Sequence, residues 1–313
     1  MKPKVLIMKP KVLILDGVHP NCAAMLRDAE LDVEVIDTLP LEELKSRIKT
    51  IHAIIVRSKT KITQELIDSA PNLRLIARAG VGLDTIDVEY AKQKNLIVLN
   101  AEEAPSVTVA ELVMGFIITL LRNISVADHL MKEGKWAKSR LRGLELRGKT
   151  IGIIGAGRIG IEVLKRSSAF LMNPIVFDIS KEQLQKAQEL GAQIEPDLDA
   201  LLKKADIITI HIPLTPKTKN LINADKFNLM KDGAFIINAA RGGIIDEKAM
   251  YQALRDGKLG GAGLDCYEAE PIPNSDLINL PNVVCTPHIG ASTEETQNTI
   301  AYIIAKKVIE NLK

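Results

Sequence analysis

The sequence predicts an α/β protein of two doubly wound parallel-sheet domains, Rossmann-like or flavodoxin-like, with one domain inserted into the other. Three observations predict this architecture. The chain has 313 residues, and single cores seldom grow past roughly 250–300 residues. Short apolar runs alternate with helical segments, as in parallel strands joined by crossover helices. A strand, a glycine-rich turn and a helix follow one another mid-chain, after a complete first α/β unit.

The first domain is predicted over residues 1–104 and 293–313, because the final helix, at residues 293–311, has no other sheet left to join. Its strands are expected at residues 11–15, 33–36, 53–56, 73–77 and 97–99, and its helices at residues 21–29, 41–49, 63–69 and 88–93. The chain opens on a direct repeat, since residues 1–7 and 8–14 both read MKPKVLI. Either an alternative start or a duplication explains a repeat this short. We take Met8 as the functional beginning and expect residues 1–7 to be dispensable.

The second domain is predicted over residues 105–292, inserted with two crossings and a cleft between the domains. Its first helix, at residues 106–122, is apolar on nearly every face, so we expect it to be buried all round. It would link the domains and is a candidate subunit contact. Further strands are expected at residues 150–154, 174–177, 207–211, 234–239, 262–265 and 283–286, with helices at residues 161–170, 181–190, 198–204, 224–230 and 247–256.

The glycine-rich turn follows the β-branched strand at residues 150–154 and has the spacing G-x-G-x-x-G, at Gly155, Gly157 and Gly160. The first glycine permits a tight turn, the second lets the backbone approach a pyrophosphate, and the third lets the helix pack on its strand. The helix start offers free N–H groups and a partial positive charge to an anion. Glycines that serve packing alone are the alternative interpretation.

Asp178 ends the next apolar run. A carboxylate at that place accepts hydrogen bonds from the ribose hydroxyls of NAD and repels the 2′-phosphate of NADP. The pattern therefore predicts a site for NAD. In the alternative interpretation, Asp178 is a helix cap before Ser180.

Three polar residues follow strands of the second domain: Arg241, Glu270 and His288. Ligands of doubly wound folds lie at the carboxyl ends of strands, so these side chains are expected at one sheet edge. Transfer of a hydride from a 2-hydroxy acid requires a base for the hydroxyl proton, and histidine suits this role. A carboxylate orients the imidazole, and a guanidinium grips the substrate carboxylate. His211 also follows a strand and is the rival base. A structural histidine, a loop acid and a strand-capping arginine are the plainer alternatives.

A second anion site is predicted in the first domain. Consecutive N–H groups at Gly80, Val81 and Gly82 form a candidate anion-binding concavity. Arg57, Ser58, Lys59 and Arg78 follow neighbouring strands and suggest a pocket for a strongly anionic group such as phosphate. A solvated basic loop is the alternative.

The bulk properties exclude several classes. The net charge is +2 and charged residues make up 26 %, which favours neither nucleic acid nor a membrane as partner. The cysteines are far apart, so we expect neither a disulfide framework nor a metal site. The longest apolar run, residues 112–121, is about half a membrane span, and no signal-peptide pattern opens the chain. We therefore expect a cytoplasmic protein.

The motifs resemble those of a known family. Residues 238–243 (NAARGG), 268–271 (EAEP) and 287–293 (PHIGAST), with the glycine turn and Asp178, resemble the D-2-hydroxyacid dehydrogenases. Residues 56–61 (VRSKTK) and 78–84 (RAGVGLD) resemble the phosphoglycerate dehydrogenases within that family. The resemblance implies that Arg241, Glu270 and His288 are catalytic. It also implies contacts with NAD by the following residues: Val81, Gly155, Gly157, Arg158, Ile159, Gly160, Asp178, His211, Ile212, Pro213, Ala239, Ala240, Asp265, Gly290 and Ala291.

The function that the resemblance implies is NAD-dependent oxidation of 3-phospho-D-glycerate to 3-phosphohydroxypyruvate, the entry to serine synthesis. The phosphate of this substrate would lie on Arg57 and Arg78. Glyoxylate, hydroxypyruvate and lactate remain alternative substrates, and an NAD-sensing corepressor is the non-enzyme alternative. The family further implies a homodimer joined through the NAD-binding domains.

Two departures from the family pattern affect these expectations. Lys138 or Arg140 stands where the family often has an arginine that reaches the neighbouring subunit's active site. The chain ends at Lys313, so we expect no serine-sensing C-terminal domain and no feedback control through one.

Overall fold

The structure, a computed structural model, describes residues 9–104, 106–271 and 273–312. The chain divides into two compact units. Residues 106–290 form the second unit, and the first comprises residues 9–104 and 291–312 of the described chain. The duplicated opening, and the expectation that residues 1–7 are dispensable, lie outside the described residues.

The first unit contains a five-stranded parallel sheet in the order β2-β1-β3-β4-β5. The strands are β1 (Lys11–Ile14), β2 (Asp32–Val35), β3 (Ala53–Val56), β4 (Leu75–Arg78) and β5 (Ile97–Leu99). The helices are α1 (Pro20–Asp28), α2 (Leu41–Arg47), α3 (Gln64–Asp68) and α4 (Val88–Gln93), and a late helix, α13 (Glu294–Leu312), packs on α1. This is the flavodoxin-like order, in which the winding direction reverses between β1 and β3.

Both faces of this sheet are covered, which is why its central strand reads as a continuous apolar run. All four residues of β3 are buried. One face packs on α1 and α13 through residues such as Leu26 and Ile304. The other packs on α2 and α3 through Leu44 and Leu66. Side chains cap the N-termini of several helices; at the start of α3, for example, the Thr63 hydroxyl accepts from the N–H of Leu66.

The second unit contains a seven-stranded parallel sheet in the order β12-β11-β10-β9-β6-β7-β8. The strands are β6 (Thr150–Ile154), β7 (Asn173–Phe177), β8 (Gln193–Ile194), β9 (Ile207–Ile210), β10 (Ala234–Asn238), β11 (Leu259–Leu264) and β12 (Val283–Cys285). The helices are α5 (Ser106–Leu121), α6 (Ile124–Lys132), α7 (Arg158–Ala169), α8 (Lys181–Glu189), α9 (Leu198–Lys204), α10 (Ala224–Leu229), α11 (Glu247–Arg255) and α12 (Ser275–Ile278). The winding reverses between β6 and β9, as in Rossmann domains. The predicted fold class, two doubly wound parallel-sheet domains, is confirmed.

The interpretation of α5 as buried all round is wrong. Val107, Glu111 and Gly115, spaced four apart, form an exposed stripe, while the rest of the helix packs mainly on α7 and β11. Glu111 pairs with Arg166 at 3.2 Å, which explains one polar position in the stripe. Among the described residues, no single helix is long and apolar enough to cross a membrane; α5 and α6 meet that criterion only jointly, with a 64° bend between them.

Several elements differ from the sequence expectation. Helix α6 was not predicted, and β11 begins at Leu259 rather than at residue 262. The short strand β8 and the one-turn helix α12 were not predicted, because two and four residues carry too little periodicity. Helix α7 begins at Arg158 rather than at residue 161. Gly160 therefore lies inside the helix, where glycine has poor propensity. Glycine is needed there because the helix backbone passes close to the carbonyl oxygen of Gly155 in the preceding turn.

Candidate active site

In the turn between β6 and α7, each of the three glycines lies in a different environment that favours a residue without a Cβ. Gly155 has φ of 98°, and a Cβ there would lie 2.7 Å from the carbonyl oxygen of His211. A Cβ on Gly160 would lie 2.0 Å from the carbonyl oxygen of Gly155. A Cβ on Gly157 would meet nothing within 4 Å, so the backbone at the start of α7 faces open space. The turn therefore leaves room for a ligand at the helix N-terminus.

Asp178 lies at the carboxyl end of β7, beside this turn. Its Oδ2 accepts from the N–H of Ala156 at 2.6 Å, and its Oδ1 accepts from the N–H of Ser180 at 2.8 Å. The N-cap of α8 is Ser180, whose hydroxyl accepts from Gln183. The alternative interpretation of Asp178 as a helix cap is therefore wrong, and the carboxylate is tied to the glycine turn.

His288 and Glu270 contact each other directly. Nδ1 of His288 lies 2.9 Å from Oε2 and 3.1 Å from Oε1 of Glu270. Oε1 also accepts from the N–H of Tyr267 at 3.1 Å. Burial by itself raises the pKa of Glu270, but the hydrogen bond and charge of His288, the Tyr267 N–H and the charge of Arg241 together hold it below its ordinary value. The carboxylate is thus ionised at neutral pH and faces the imidazole.

The loop that carries His288 is organised by Asp265, which is 1 % exposed. Oδ1 of Asp265 accepts from the N–H of Ile289 at 2.7 Å and from the hydroxyl of Thr286 at 2.6 Å. Its Oδ2 accepts from the N–H of Gly290 at 2.7 Å. These bonds hold His288 at φ of 53°, a left-handed conformation that costs a non-glycine residue on the order of 1 kcal/mol.

Arg241 follows β10 in a turn closed by a buried asparagine. The side chain of Asn238 donates to the carbonyl of Arg241 at 2.9 Å and accepts from the N–H of Ala240 at 3.1 Å. Nη1 of Arg241 donates to the carbonyl of Ala240 at 2.7 Å. A Cβ on Gly242 would lie 1.8 Å from the carbonyl oxygen of Tyr267. Glycine thus lets the arginine turn touch the segment that carries the acid.

His211, the rival base, has a different environment. Its Nε2 lies 2.9 Å from the Thr209 hydroxyl, while its Nδ1 is buried without a partner among the described residues. The residue is partly exposed as a whole, yet burial of the ring lowers its pKa to about 3. His211 therefore stays neutral, and no carboxylate in the described part of the chain orients it as a base.

The residues of the predicted anion pocket lie at the carboxyl end of β4 and on the loops that follow β3 and β4 in the first unit. Arg57 Nη2 donates to the Ser292 hydroxyl at 3.0 Å, and Arg78 Nε donates to the Arg57 carbonyl at 3.0 Å. Lys59 faces Asp37 at 3.3 Å. The Gly80 N–H donates to the Arg78 carbonyl at 2.8 Å, so this member of the predicted concavity already has a backbone acceptor. The remaining positions of that prediction lie on the same two loops: Ser58, Val81 and Gly82.

The other predicted cofactor residues occupy three loops and a segment of the first unit. Arg158 and Ile159 begin α7, Ile212 and Pro213 follow β9, and Ala239 and Ala240 follow β10, whereas Ala291 belongs to the first unit. The carboxyl ends of parallel strands share one edge, so the residues after β9 and β10 lie at the edge of the sheet where α7 begins.

Comparison with known proteins places this geometry in a family. A model described as "D-isomer specific 2-hydroxyacid dehydrogenase, NAD binding domain" matches residues 114–290. The chain belongs to this family. A relative named hydroxypyruvate reductase, from Thermotoga maritima, is 44 % identical over 96 % of this chain and 98 % of its own length.

The chain is also similar to a second curated protein and to a solved structure. A D-3-phosphoglycerate dehydrogenase of Methanocaldococcus jannaschii is 46 % identical over 97 % of this chain, but the chain spans only 57 % of that protein. The D-lactate dehydrogenase of Aquifex aeolicus, solved with NAD and lactic acid, superposes with a TM-score of 0.82 at 31 % identity, over 95 % of this chain and 94 % of its own. The second unit is thus an NAD-binding domain of the 2-hydroxyacid dehydrogenases.

Three residues that organise the site had no clear sequence signal. Asn238 has a weak one, since Asx residues after a strand often bond the backbone two residues on. Glu247 accepts from the N–H of Glu268 at 2.6 Å, and Glu268 accepts from the N–H of Glu247 at 3.1 Å. In the sequence, Glu247 is an ordinary first-turn acid. In the sequence, Asp16 is an ordinary turn residue before a glycine, although in the structure its Oδ2 accepts from the N–H of Arg57 at 2.9 Å.

Proposed function

We propose that this 2-hydroxyacid dehydrogenase oxidises 3-phospho-D-glycerate to 3-phosphohydroxypyruvate with NAD, in serine biosynthesis. The observation that carries the reaction type is the hydrogen-bonded pair of His288 and Glu270 on loops that follow strands of an NAD-binding domain. The relatives named D-3-phosphoglycerate dehydrogenase support the choice of substrate.

The residues of the glycine turn fit NAD. Gly157 leaves open space at the helix N-terminus for a pyrophosphate, and the Asp178 carboxylate lies beside it for a ribose. When bound, NAD supplies the acceptor for the hydrogen that leaves the substrate carbon with its electron pair. The carboxylate of Asp178 disfavours a 2′-phosphate by charge repulsion.

His288 acts as the base in this proposal. Its Nδ1–H donates to Glu270, so the lone pair lies on Nε2, which takes the proton of the substrate hydroxyl. The ionised Glu270 stabilises the imidazolium that forms, by the same logic as in acid–histidine pairs elsewhere. In the reverse direction the imidazolium returns the proton to the carbonyl oxygen.

Arg241 binds the substrate carboxylate, because a guanidinium matches a carboxylate in two parallel hydrogen bonds. Its turn is fixed by Asn238. Arg57 and Arg78 bind the phosphate, which carries more charge than one guanidinium neutralises. Both arginines are already held by contacts within the first unit, so little side-chain entropy is lost on binding.

Reduction of hydroxypyruvate or glyoxylate is the second candidate. The observation that favours it is the Thermotoga maritima hydroxypyruvate reductase, which this chain matches along nearly its whole length. The same His288, Glu270 and Arg241 would serve that reaction, and Arg57 and Arg78 would then have no phosphate to bind.

A steady-state comparison of 3-phospho-D-glycerate with D-glycerate separates the two candidates. We expect a preference in kcat/KM for the phosphorylated acid of about tenfold to a hundredfold, the value of one or two charge-assisted hydrogen bonds. Arg57→Gln should remove most of this preference, whereas Lys61→Gln, on the same loop and exposed, should not. A preference for D-glycerate in the unaltered protein contradicts the phosphate assignment but leaves the chemistry in place.

We also propose that the enzyme is a cytoplasmic homodimer joined through the NAD-binding units. Large apolar side chains are exposed on the second unit, among them Trp136 (79 % exposed), Met131 and Ile124, and exposed apolar patches mark interfaces. All three cysteines are free, as in reducing compartments. Sedimentation should show a dimer that Trp136→Glu weakens; a monomeric unaltered protein contradicts the proposal.

A further inference from the structure

The sheet of the first unit has a switch point between β1 and β3 that the proposed chemistry does not fully explain. Helix α1, which follows β1, packs on one face of the sheet, and α3, which follows β3, packs on the other. The loops after these two strands therefore diverge at the carboxyl edge. In doubly wound folds, such a divergence is where ligands bind. Asp16 lies on the first of these loops, and residues 57–60 form the second.

Asp16 joins the two loops with a buried carboxylate. It is 3 % exposed. Its Oδ2 accepts from the N–H groups of Arg57 at 2.9 Å, Lys59 at 3.2 Å and Thr60 at 3.0 Å. Its Oδ1 accepts from the Thr60 hydroxyl at 2.6 Å. Each of these bonds involves an ionised acceptor, and such bonds are roughly twice as strong as neutral ones.

The backbone of Asp16 is constrained to make these contacts. Its φ is 64°, a left-handed value that is unfavourable for a residue with a Cβ. Its N–H donates to the carbonyl of Asp37 at 2.6 Å. A non-glycine residue in this conformation persists only where its surroundings fix it, and here the surroundings are the loop that its side chain gathers.

The loop that Asp16 holds carries Arg57, and Arg57 contacts the second proposed phosphate ligand, Arg78. The carbonyl of Arg57 accepts from Nε of Arg78, and the guanidinium of Arg57 extends to the Ser292 hydroxyl. A displacement of the Arg57 backbone would therefore move both guanidinium groups. Because the oxygens of Asp16 are occupied by loop donors, its negative charge is compensated locally and does not need to face a bound anion.

We propose that Asp16 is a positioning residue for phosphate recognition: by clamping residues 57–60 across the switch point, it sets Arg57 and Arg78 at the separation that a phosphate group requires. This inference rests on the proposed substrate. Asp16 touches neither substrate nor cofactor in this scheme, so its loss affects the affinity for the phosphorylated acid and leaves the proton transfer at His288 intact. Misplacing a binding group by about 1 Å costs up to roughly a hundredfold.

The test compares Asp16→Ala and Asp16→Asn by steady-state kinetics with 3-phospho-D-glycerate and D-glycerate. Asp16→Ala should raise KM for the phosphorylated acid by about tenfold or more, with kcat and KM for D-glycerate changed less than about threefold. Asp16→Asn keeps the shape, since its oxygen can face the three N–H groups and its NH₂ group the Thr60 hydroxyl. It should therefore recover most of the loss. NADH binding, followed by fluorescence, should be unchanged in both variants.

Asp37→Asn is the matched control, because it removes an exposed carboxylate facing the side chain of Lys59 on the same loop without removing a bond to the loop backbone. It should retain the kinetic constants of the unaltered protein. A purely structural role for Asp16 would lower the thermal midpoint and reduce activity with both acids equally, and that result overturns the inference. If the unaltered protein shows no preference for the phosphorylated acid, the proposed substrate fails. A preference that Asp16→Ala leaves intact refutes the positioning role alone.

Discussion

Nδ1 of His288 lies 2.9 Å from Oε2 of Glu270, and the loop that bears the histidine is held by three hydrogen bonds to Asp265. The acid therefore fixes which imidazole nitrogen carries the proton, and the buried aspartate fixes where the ring stands. A base that is oriented before the substrate arrives does not have to be reorganised during the reaction.

Replacing the base tests the reaction type. His288→Gln should lower kcat by about 10²- to 10⁴-fold, the usual contribution of a general acid–base, because glutamine cannot take up the hydroxyl proton. NADH binding, measured by fluorescence, should stay near normal. His129→Gln, an exposed position on α6, serves as the control and should keep full activity. Turnover that survives in His288→Gln removes the assignment.

The charge of Glu270 should support proton transfer to His288. Burial opposes this charge, but the hydrogen bond of His288 keeps the pKa of the Glu270 carboxyl below its ordinary value, so the group is a carboxylate at neutral pH. Glu270→Gln keeps a hydrogen-bond acceptor at this place but removes the negative charge that stabilises the imidazolium. The substitution should therefore lower kcat for oxidation at neutral pH by about 10²-fold or more, measured by steady-state kinetics.

Glu268→Gln provides the comparison, since Glu268 is an exposed carboxylate two positions away that accepts from Glu247 rather than from His288. Its kcat should equal that of the unaltered protein. Full turnover in Glu270→Gln would show that the charge of Glu270 is not needed for the proton transfer.

Alanine substitutions at two glycines of the β6–α7 turn should have different effects, one on the stability of the fold and the other on NADH binding. In Gly160→Ala the new Cβ would collide with the carbonyl oxygen of Gly155, and the backbone shift should lower the free energy of unfolding by about 1–3 kcal/mol or more. Gly157→Ala has room and should unfold like the unaltered protein, yet bind NADH at least about tenfold more weakly, because the methyl group occupies the approach to the helix start. Urea unfolding and fluorescence titration measure both effects; equal stability of the two variants contradicts this account.

His211 should make the fold sensitive to mild acid. Its pKa is about 3 in the folded chain and about 6.5 when unfolded. The unfolded chain therefore binds the extra proton below pH 6.5, and the free energy of unfolding falls by up to about 1.4 kcal/mol per pH unit toward pH 3. His211→Gln should show a dependence flatter by about 2–3 kcal/mol between pH 7.5 and pH 4.5. Parallel urea-unfolding curves for His211→Gln and the unaltered protein would show that burial does not keep this ring neutral; His129→Gln should follow the unaltered protein.

Local pattern was sufficient for most of the fold. The boundaries of β3, β5, β6, α4 and α9 coincide with those expected from apolar runs and helical periodicity. The exceptions have physical causes. A two-residue strand has no periodicity of its own, and the exposed stripe of α5 is apolar at Val107 because solvent exposure of a single apolar residue costs little.

Residue types within a few positions of a strand end are enough to predict the fold class, the glycine turn for NAD and the candidate set of Arg241, Glu270 and His288. How those residues are held depends on packing between elements that are far apart in the chain. The carboxylates of Asp16 and Asp265 accept hydrogen bonds from loops that are distant in sequence. Burial of the ring, rather than the residues next to it in sequence, keeps His211 neutral. Such contacts depend on which strands are adjacent in the sheet, and that adjacency cannot be read from any single segment.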